Sequence, residues 1–205
     1  MKKFLITEIL SIFFLSIFAQ EKQSNSNSFV DSRNGKSYKT VRIGKQIWMA
    51  ENLKFATPTG SWCYNDSTIN CEKYGTLYDW DGANIACPSG WHLPTVTDFE
   101  YLVGIWPLPE SNEYEVKETT SDPIGNDAYK HLLPDGDSGL NIILSGWRFS
   151  SGYFYGIDNF TGFWSSSTGG FGGAWSLYLE SNNKTAEVSS YYKNIGFSVR
   201  CIKNK

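Results

Sequence analysis

Cys87-Pro88-Ser89-Gly90-Trp91-His92-Leu93-Pro94-Thr95-Val96-Thr97-Asp98-Phe99-Glu100-Tyr101-Leu102 is the stretch around which the chain is organised. Pro88-Ser89-Gly90 is a turn signal. Trp91 and Leu93 alternate around His92, as in a short half-buried strand. Pro94 stops that strand and biases Leu93 towards an extended backbone. Thr95 with Asp98 reads as a capping box, in which hydroxyl and carboxylate satisfy free N–H groups at a helix start. Phe99, Leu102, Val103 and Trp106 then recur at i, i+3, i+4 and i+7, which is one apolar helix face.

Upstream, Asn34-Gly35 is a strong hairpin signal. Val41 and Ile43 alternate with Thr40 and Arg42, Gly44-Lys45 offers a second turn, and Ile47-Trp48-Met49 a second apolar segment. Residues 60–70 read as loop. Thr76 with Asp79 repeats the Thr-x-x-acid spacing, so a helix is expected from about Leu77 to Ala86. From Trp106 to about Leu140 the pattern is weak and punctuated by Pro107, Pro109, Pro123 and Pro134. Asp135-Gly136-Asp137-Ser138-Gly139 reads as an exposed turn; it lacks the later ligands and the Glu of a calcium loop.

The C-terminal third reads as β. Gly152 to Gly156 and Gly162 to Ser167 are aromatic islands between glycines. Trp175, Leu177 and Leu179 alternate with Ser176, Tyr178 and Glu180, and Asn182-Asn183 makes a turn before the next strand. Ile195, Phe197, Val199 and Cys201 alternate with Gly196, Ser198, Arg200 and Ile202, which predicts a last strand with one buried face.

The chain has 205 residues, enough for one domain with a full core and short for two. Its net charge of −3 offers no basic footprint for nucleic acid. With 8 Trp, 12 Tyr, 13 Phe and 19 Gly it favours a β-rich, loop-rich architecture. Lys2 and Lys3 precede an apolar run from Ile9 to Ala19. A charged head, a short apolar body and a small final residue predict a secretory signal peptide over residues 1–19. A retained helical anchor is the alternative, although the run is short for a bilayer. Residues 20–29 are polar and Ser/Asn-rich, a flexible tether, and residues 30–205 form the expected domain.

Export makes the cysteines readable. Cys63, Cys71, Cys87 and Cys201 all follow the expected cleavage point, and in an oxidising compartment an even number suggests two disulfides. Three pairings are possible. Cys63–Cys71 would close a small loop, and Cys87–Cys201 would tie the central stretch to the last strand. Zinc is the rival reading. It fails on spacing, with no C-x₂₋₄-C pair and only 2 His in the chain.

These residues carry a resemblance. Tyr38-Lys39-Thr40-Val41, Ile43-Gly44, and Trp48-Met49-Ala50-Glu51-Asn52-Leu53 resemble the opening of the Fibrobacter succinogenes major paralogous domain family. Tyr74-Gly75, Leu77-Tyr78, Trp80 and Cys87-Pro88-x-Gly90-Trp91-His92-Leu93-Pro94 resemble its middle. Phe163-Trp164-Ser165-Ser166 and Gly196-Phe197-Ser198-Val199-Arg200-Cys201 resemble its end. The segment from Asp122 to Asp137 departs most from the pattern. The resemblance implies an exported bacterial protein of unestablished activity. Its signatures are similar to those of formylglycine-generating-enzyme-like domains, which belong to the C-type-lectin-like fold. The implied fold is α+β and C-type-lectin-like: two helices, small antiparallel sheets and long loops, stapled by disulfides.

The sequence offers little catalytic machinery. A formylglycine-generating oxidase needs a reactive cysteine pair, and a structural Cys87–Cys201 disulfide would account for both residues here. His92 is expected in a packed strand and His131 in the irregular segment, and no Gly-x-Ser-x-Gly elbow occurs. Paired carboxylates are spatial and leave no sequence signature; Glu51, Glu100 and Glu180 are candidates only in that sense. The Glu-Pro-Asn and Gln-Pro-Asp motifs of calcium-dependent lectins are absent, and Trp164-Ser165-Ser166 lacks calcium ligands. A calcium-independent aromatic platform is the remaining site: Trp147, Arg148, Tyr153 and Tyr155, with rings to stack on a ligand and Arg148 as donor or cation. The competing reading puts Trp147 and Trp164 in the core and the tyrosines on a hairpin. The N-x-[ST] sequons at Asn65, Asn159 and Asn183 are incidental in a bacterial protein.

The expected function is non-catalytic recognition of an extracellular ligand, a polysaccharide or a cell-surface component, by a protein that is secreted, periplasmic or at the cell surface. The alternatives are an enzyme with a spatially assembled carboxylate site and a structural surface scaffold with diversified loops. No cofactor, metal or nucleic-acid partner is expected, and no membrane span after signal cleavage.

Overall fold

The computed structural model describes residues 28–104 and 125–205. The expected signal peptide, nearly all of the tether, Trp106, and Pro107, Pro109 and Pro123 lie outside the described residues.

The chain opens on hairpins. Strand β1 (Ser28–Asp31) pairs antiparallel with β2 (Lys36–Ile43) across the Asn34-Gly35 turn. Gly35 has φ +71°, the left-handed region that this tight turn requires. Asp31 anchors the hairpin: its carboxylate accepts Arg33 Nε at 2.9 Å and Nη2 at 2.8 Å. Arg33 Nη2 also donates to the Ala86 carbonyl at 2.7 Å. Strand β2 continues through the Gly44 turn into β3 (Gln46–Met49). Beyond β3, the first sheet is completed by two short strands, β12 (Ile202–Lys203) and then β6 (Trp91–His92).

A two-stranded sheet of β4 (Ser61–Trp62) and β5 (Leu77–Tyr78) brackets helix α1 (Thr68–Tyr74). Helix α2 (Trp80–Ala86) follows directly. It starts three residues later than expected, because its cap is Asp79, which accepts the Gly82 N–H at 2.8 Å. Leu77 and Tyr78, expected as the first helical turn, are instead a buried strand. The second Thr-x-x-acid signal therefore marks a helix by its acid, not by its threonine. The first such signal acts as read. Asp98 accepts the Thr95 N–H at 2.8 Å, Thr95 Oγ1 accepts the Asp98 N–H at 3.2 Å, and helix α3 (Val96–Gly104) buries Phe99 and Leu102. Helix α4 (Gly125–Leu132) falls where the sequence pattern is weak.

The second large sheet holds β7 (Ser145–Arg148), β8 (Phe154–Ile157), β9 (Phe160–Thr168), β10 (Gly173–Glu180) and β11 (Thr185–Tyr192), in the order β11-β10-β9-β7-β8. One of its faces (Phe163, Leu177, Leu179, Ala186) meets α3, α4 and the Ile43, Trp48 and Ile202 side of the first sheet. The opposite face carries Trp164 into a second cluster with Tyr78, Ala83, Ala86, Phe197 and Val199. Trp164 Nε1 donates to the Tyr78 carbonyl at 2.7 Å, which satisfies the one polar atom of a fully buried indole.

The expected α+β, C-type-lectin-like architecture is overturned. Twelve strands in three sheets make up most of the regular structure, with four α-helices of nine residues or fewer, among the described residues. The domain is predominantly β and closer to a sandwich of sheets than to a two-helix lectin domain. The glycine-flanked aromatic islands of the C-terminal third supply β8 and β9. At Gly162 a Cβ would come within 2.6 Å of the Phe197 ring, so this glycine marks close packing of a ring on bare backbone.

The run from Phe197 to Ile202 is also not the expected half-buried strand. Every residue in it is buried. Its backbone visits several partners in turn: Phe197 bridges Tyr78, Ser198 bridges Phe163, the Val199 carbonyl accepts from Leu53, and the Cys201 carbonyl accepts from Met49. The segment threads between the sheets, which is why both its apolar and its polar positions are covered. Arg200, at 2% exposure, is held by Asn52.

Two disulfides close the frame. Cys63–Cys71 spans the turn before α1 with Cα atoms 4.9 Å apart, and Cys87–Cys201 joins the end of α2 to the threading segment with Cα atoms 5.9 Å apart.

Candidate functional site

The face of the second sheet that carries Trp164 into the second cluster emerges at the β7–β8 edge, and its rings are set by strand alternation. Trp147 in β7 stands opposite Tyr155 in β8, whereas Arg148 stands opposite Phe154 on the reverse face. In β10, Tyr178 and Glu180 share the face of Trp147, with Glu187 directly across from Tyr178 in β11. Leu177 and Leu179 point the other way, into the core.

The rings on this face form an unbroken strip. Centroid separations are 6.5 Å for Tyr153–Phe149, 5.5 Å for Phe149–Trp147 and 5.8 Å for Trp147–Phe160. They continue at 5.9 Å for Phe160–Tyr155, 5.9 Å for Trp147–Tyr178 and 5.8 Å for Tyr178–Tyr191. Such spacings are those of rings in contact. The strip is open on two arms from Trp147: Tyr153 is 66% and Phe149 38% exposed on one, and Tyr155 is 50% exposed beyond Phe160 on the other. Towards β10 it sinks into the fold, with Tyr178 buried and Trp147 half-buried against the Phe197 ring. Trp147 Nε1 is buried without a hydrogen-bond partner among the described residues.

Two carboxylates flank the deep end. Burial, with Glu187 and Glu180 adding, pushes the Tyr191 phenol up to about 12. Burial, then Glu180, Tyr191 and Glu187, raises Tyr178 as well. Both phenols stay protonated near neutrality. The face thus presents flat apolar rings beside phenol donors and carboxylate acceptors, a combination suited to a ligand with C–H faces and a hydroxyl edge.

Tyr191 also borders a cleft of about 500 Å³ at the end of the sheet, lined by Trp175, Tyr192 and Phe171. Phe171 is fully exposed at the tip of Gly169-Gly170-Phe171-Gly172-Gly173, with a left-handed φ of +53°.

Of the four residues expected to form a platform, Trp147, Tyr153 and Tyr155 come together. Arg148 does not: its guanidinium lies over the Trp62 ring at 4.0 Å on the reverse side. The competing reading holds in full for Trp164 and only partly for Trp147. Phe149, Phe160, Tyr178 and Tyr191 join the strip without having been expected there. Their signal was the alternation itself, since Tyr178 and Glu180 were the non-core set of β10.

The expected histidine placement is corrected too. His92 is exposed, and its Nδ1 hydrogen-bonds Asn204 Oδ1 at 2.7 Å. His131 pairs with Asp137 at the turn after α4. Glu51 follows β3, Glu100 lies in α3 and Glu180 ends β10. Among the described residues, no group of three or more His, Cys, Asp or Glu is placed to hold a metal. No helix of the described residues is long and apolar enough to cross a membrane.

Fold and surface together define a disulfide-stapled, predominantly β domain with an aromatic sheet face. The Fibrobacter succinogenes major domain matches residues 41–203, and the chain belongs to that family. Comparison with curated proteins gives no match, and neither does comparison with solved structures.

Proposed function

We propose that the protein is an exported, non-catalytic recognition domain that binds a polysaccharide or cell-surface glycan at the exposed aromatic edge of the second sheet, around β7 and β8. The observation that carries this reading is the exposed edge of the strip, where Tyr153 and Phe149 stand in ring contact on one side of Trp147 and Tyr155 stands exposed against Phe160 on the other. Sugar rings present C–H faces to aromatic planes, and their hydroxyls match the carboxylates and phenols at the other end. Export is supported by the basic head and apolar run at the N-terminus and by two disulfides, which persist in oxidising compartments.

The test is binding of the oxidised full chain to an array of polysaccharides, with and without calcium. A calcium-independent hit that weakens about tenfold or more on Tyr155→Ala or Tyr153→Ala, roughly 1.4 kcal/mol, supports the reading. Both side chains are exposed, so their loss leaves the core intact. Retained binding in both variants contradicts it. Glu180 and Glu187 beside the rings favour hydrolysis as the second reading. It is tested by the release of reducing ends and its loss in Glu187→Gln.

A further inference from the structure

Away from the aromatic face, a cavity of about 340 Å³ opens between the segment after β3, the end of α1 and the threading segment. Four cationic side chains line it, Lys39, Lys54, Lys73 and Arg200, against one carboxylate, Glu51. That is a concentrated positive site on a chain whose net charge is −3.

Arg200 is the unusual member. At 2% exposure it is bonded only to neutral acceptors. Nε donates to Asn52 Oδ1 at 2.8 Å, Nη2 to the Asn141 carbonyl at 2.9 Å, and Nη1 to the Leu140 carbonyl. Among the described residues no carboxylate forms an ion pair with it, nor with Lys39, Lys54 or Lys73. Glu51 is near enough to act on Arg200 electrostatically, but its carboxylate accepts the Lys39 backbone N–H at 2.7 Å. Burial pulls Arg200 down to about 9, so the guanidinium is charged at neutral pH. A buried cation without a counter-ion is costly, and a bound anion offsets that cost.

We infer that this cavity is an oxyanion site, which takes the carboxylate, sulfate or phosphate group of a small ligand through Arg200 and the three lysines. Its volume is at the low end of ligand pockets, about 300–1,000 Å³, and larger than a bare ion needs. The chemistry fits a free inorganic anion or an acidic sugar, and the test separates these sources. The site is independent of the glycan reading of the aromatic face.

The experiment is calorimetric titration of the oxidised full chain with sulfate, phosphate, glucuronate and, as an uncharged control, glucose, at constant ionic strength. Saturable binding of at least one anion and none of glucose is expected. Lys39→Gln, Lys54→Gln and Lys73→Gln combined should weaken it at least tenfold, with Arg200 and the fold left in place. Glu51→Gln, which removes the one carboxylate of the lining and keeps an acceptor for Lys39, should tighten it several-fold. Tyr155→Ala should leave it unchanged, whatever that variant does to glycan binding. Glucuronate binding above sulfate and phosphate assigns the site to an acidic sugar; the reverse order assigns it to an inorganic anion. Absence of saturable anion binding, equal binding of glucose, or undiminished binding in the triple lysine variant overturns the proposal.

Discussion

Asp31 shows how much a single side chain can organise. It is 1% exposed and accepts the Arg33 backbone N–H as well as two guanidinium bonds. Burial acts to raise its carboxyl, but the hydrogen bonds and charge of Arg33 outweigh this and hold it below the ordinary range. A carboxyl depressed in the fold stabilises it fully above the unfolded value, near 3.9, and loses that contribution as pH falls through the folded value. Asp31→Asn should therefore cost about 1–3 kcal/mol in urea unfolding at pH 6. The gap from the parent should narrow below about pH 4; a gap independent of pH would contradict the assignment. Tyr191 works at the other end of the scale. Its phenol, raised to about 12, keeps its proton in the fold when the unfolded chain has begun to lose it near 10. Stability should fall as pH rises above about 10, and phenolate absorbance should show a tyrosine ionising late. Tyr191→Phe should remove that component.

Helices, hairpins and disulfides contribute at the next scale, and the sequence was unevenly informative about them. Turns were legible because their chemistry is local: Asn34-Gly35 and Asn182-Asn183 close the hairpins read from them. The Thr95–Asp98 box was legible for the same reason. Helix α1 was not, because its seven residues carry no apolar period and its first half lies within the loop closed by Cys63–Cys71. The cap of α2 was misplaced by three residues, since Thr and Asp are both capping residues and only tertiary pairing of Leu77 with Trp62 decides between them. Asp79→Ala should cost about 1 kcal/mol. The disulfides differ more. By loop-closure entropy, the Cys87–Cys201 bridge, with a sequence separation of 114, should contribute about 5 kcal/mol, and Cys63–Cys71, with a separation of 8, about 2.5 kcal/mol. Paired Cys→Ala replacements compared by denaturant midpoint check that order; equal losses would contradict it.

Across the whole molecule, non-local pairing is what the sequence does not display. The C-terminal third reads as β, but its strand order is not written in it, and the final alternating run reads as a strand with one buried face although every residue from Phe197 to Ile202 is buried. Strand order and the threading of residues 196–202 between two sheets depend on contacts far apart in sequence, which no local pattern encodes. The same holds for the site. The sequence pointed to the hairpin carrying Trp147, Tyr153 and Tyr155, while Phe160, Tyr178 and Tyr191 join them only because β9, β10 and β11 lie alongside. Arg148 shows the cost of ignoring alternation, one residue placing it on the opposite face from Trp147. The frame is stapled at two points and packs on both faces of the second sheet, and the strip of rings runs from the second cluster out to the exposed edge at Tyr153 and Tyr155. The molecule thus divides its labour, a fixed frame presenting a fixed aromatic surface. Side-chain resonances of the isotopically labelled, oxidised chain, followed while the best-binding polysaccharide is added, put this to the test. Shifts are expected at Tyr153, Tyr155, Phe149, Phe160 and Glu187 alone, with the Trp48 and Phe99 core signals unmoved. Shifts centred on any other surface, with these five unmoved, would contradict it.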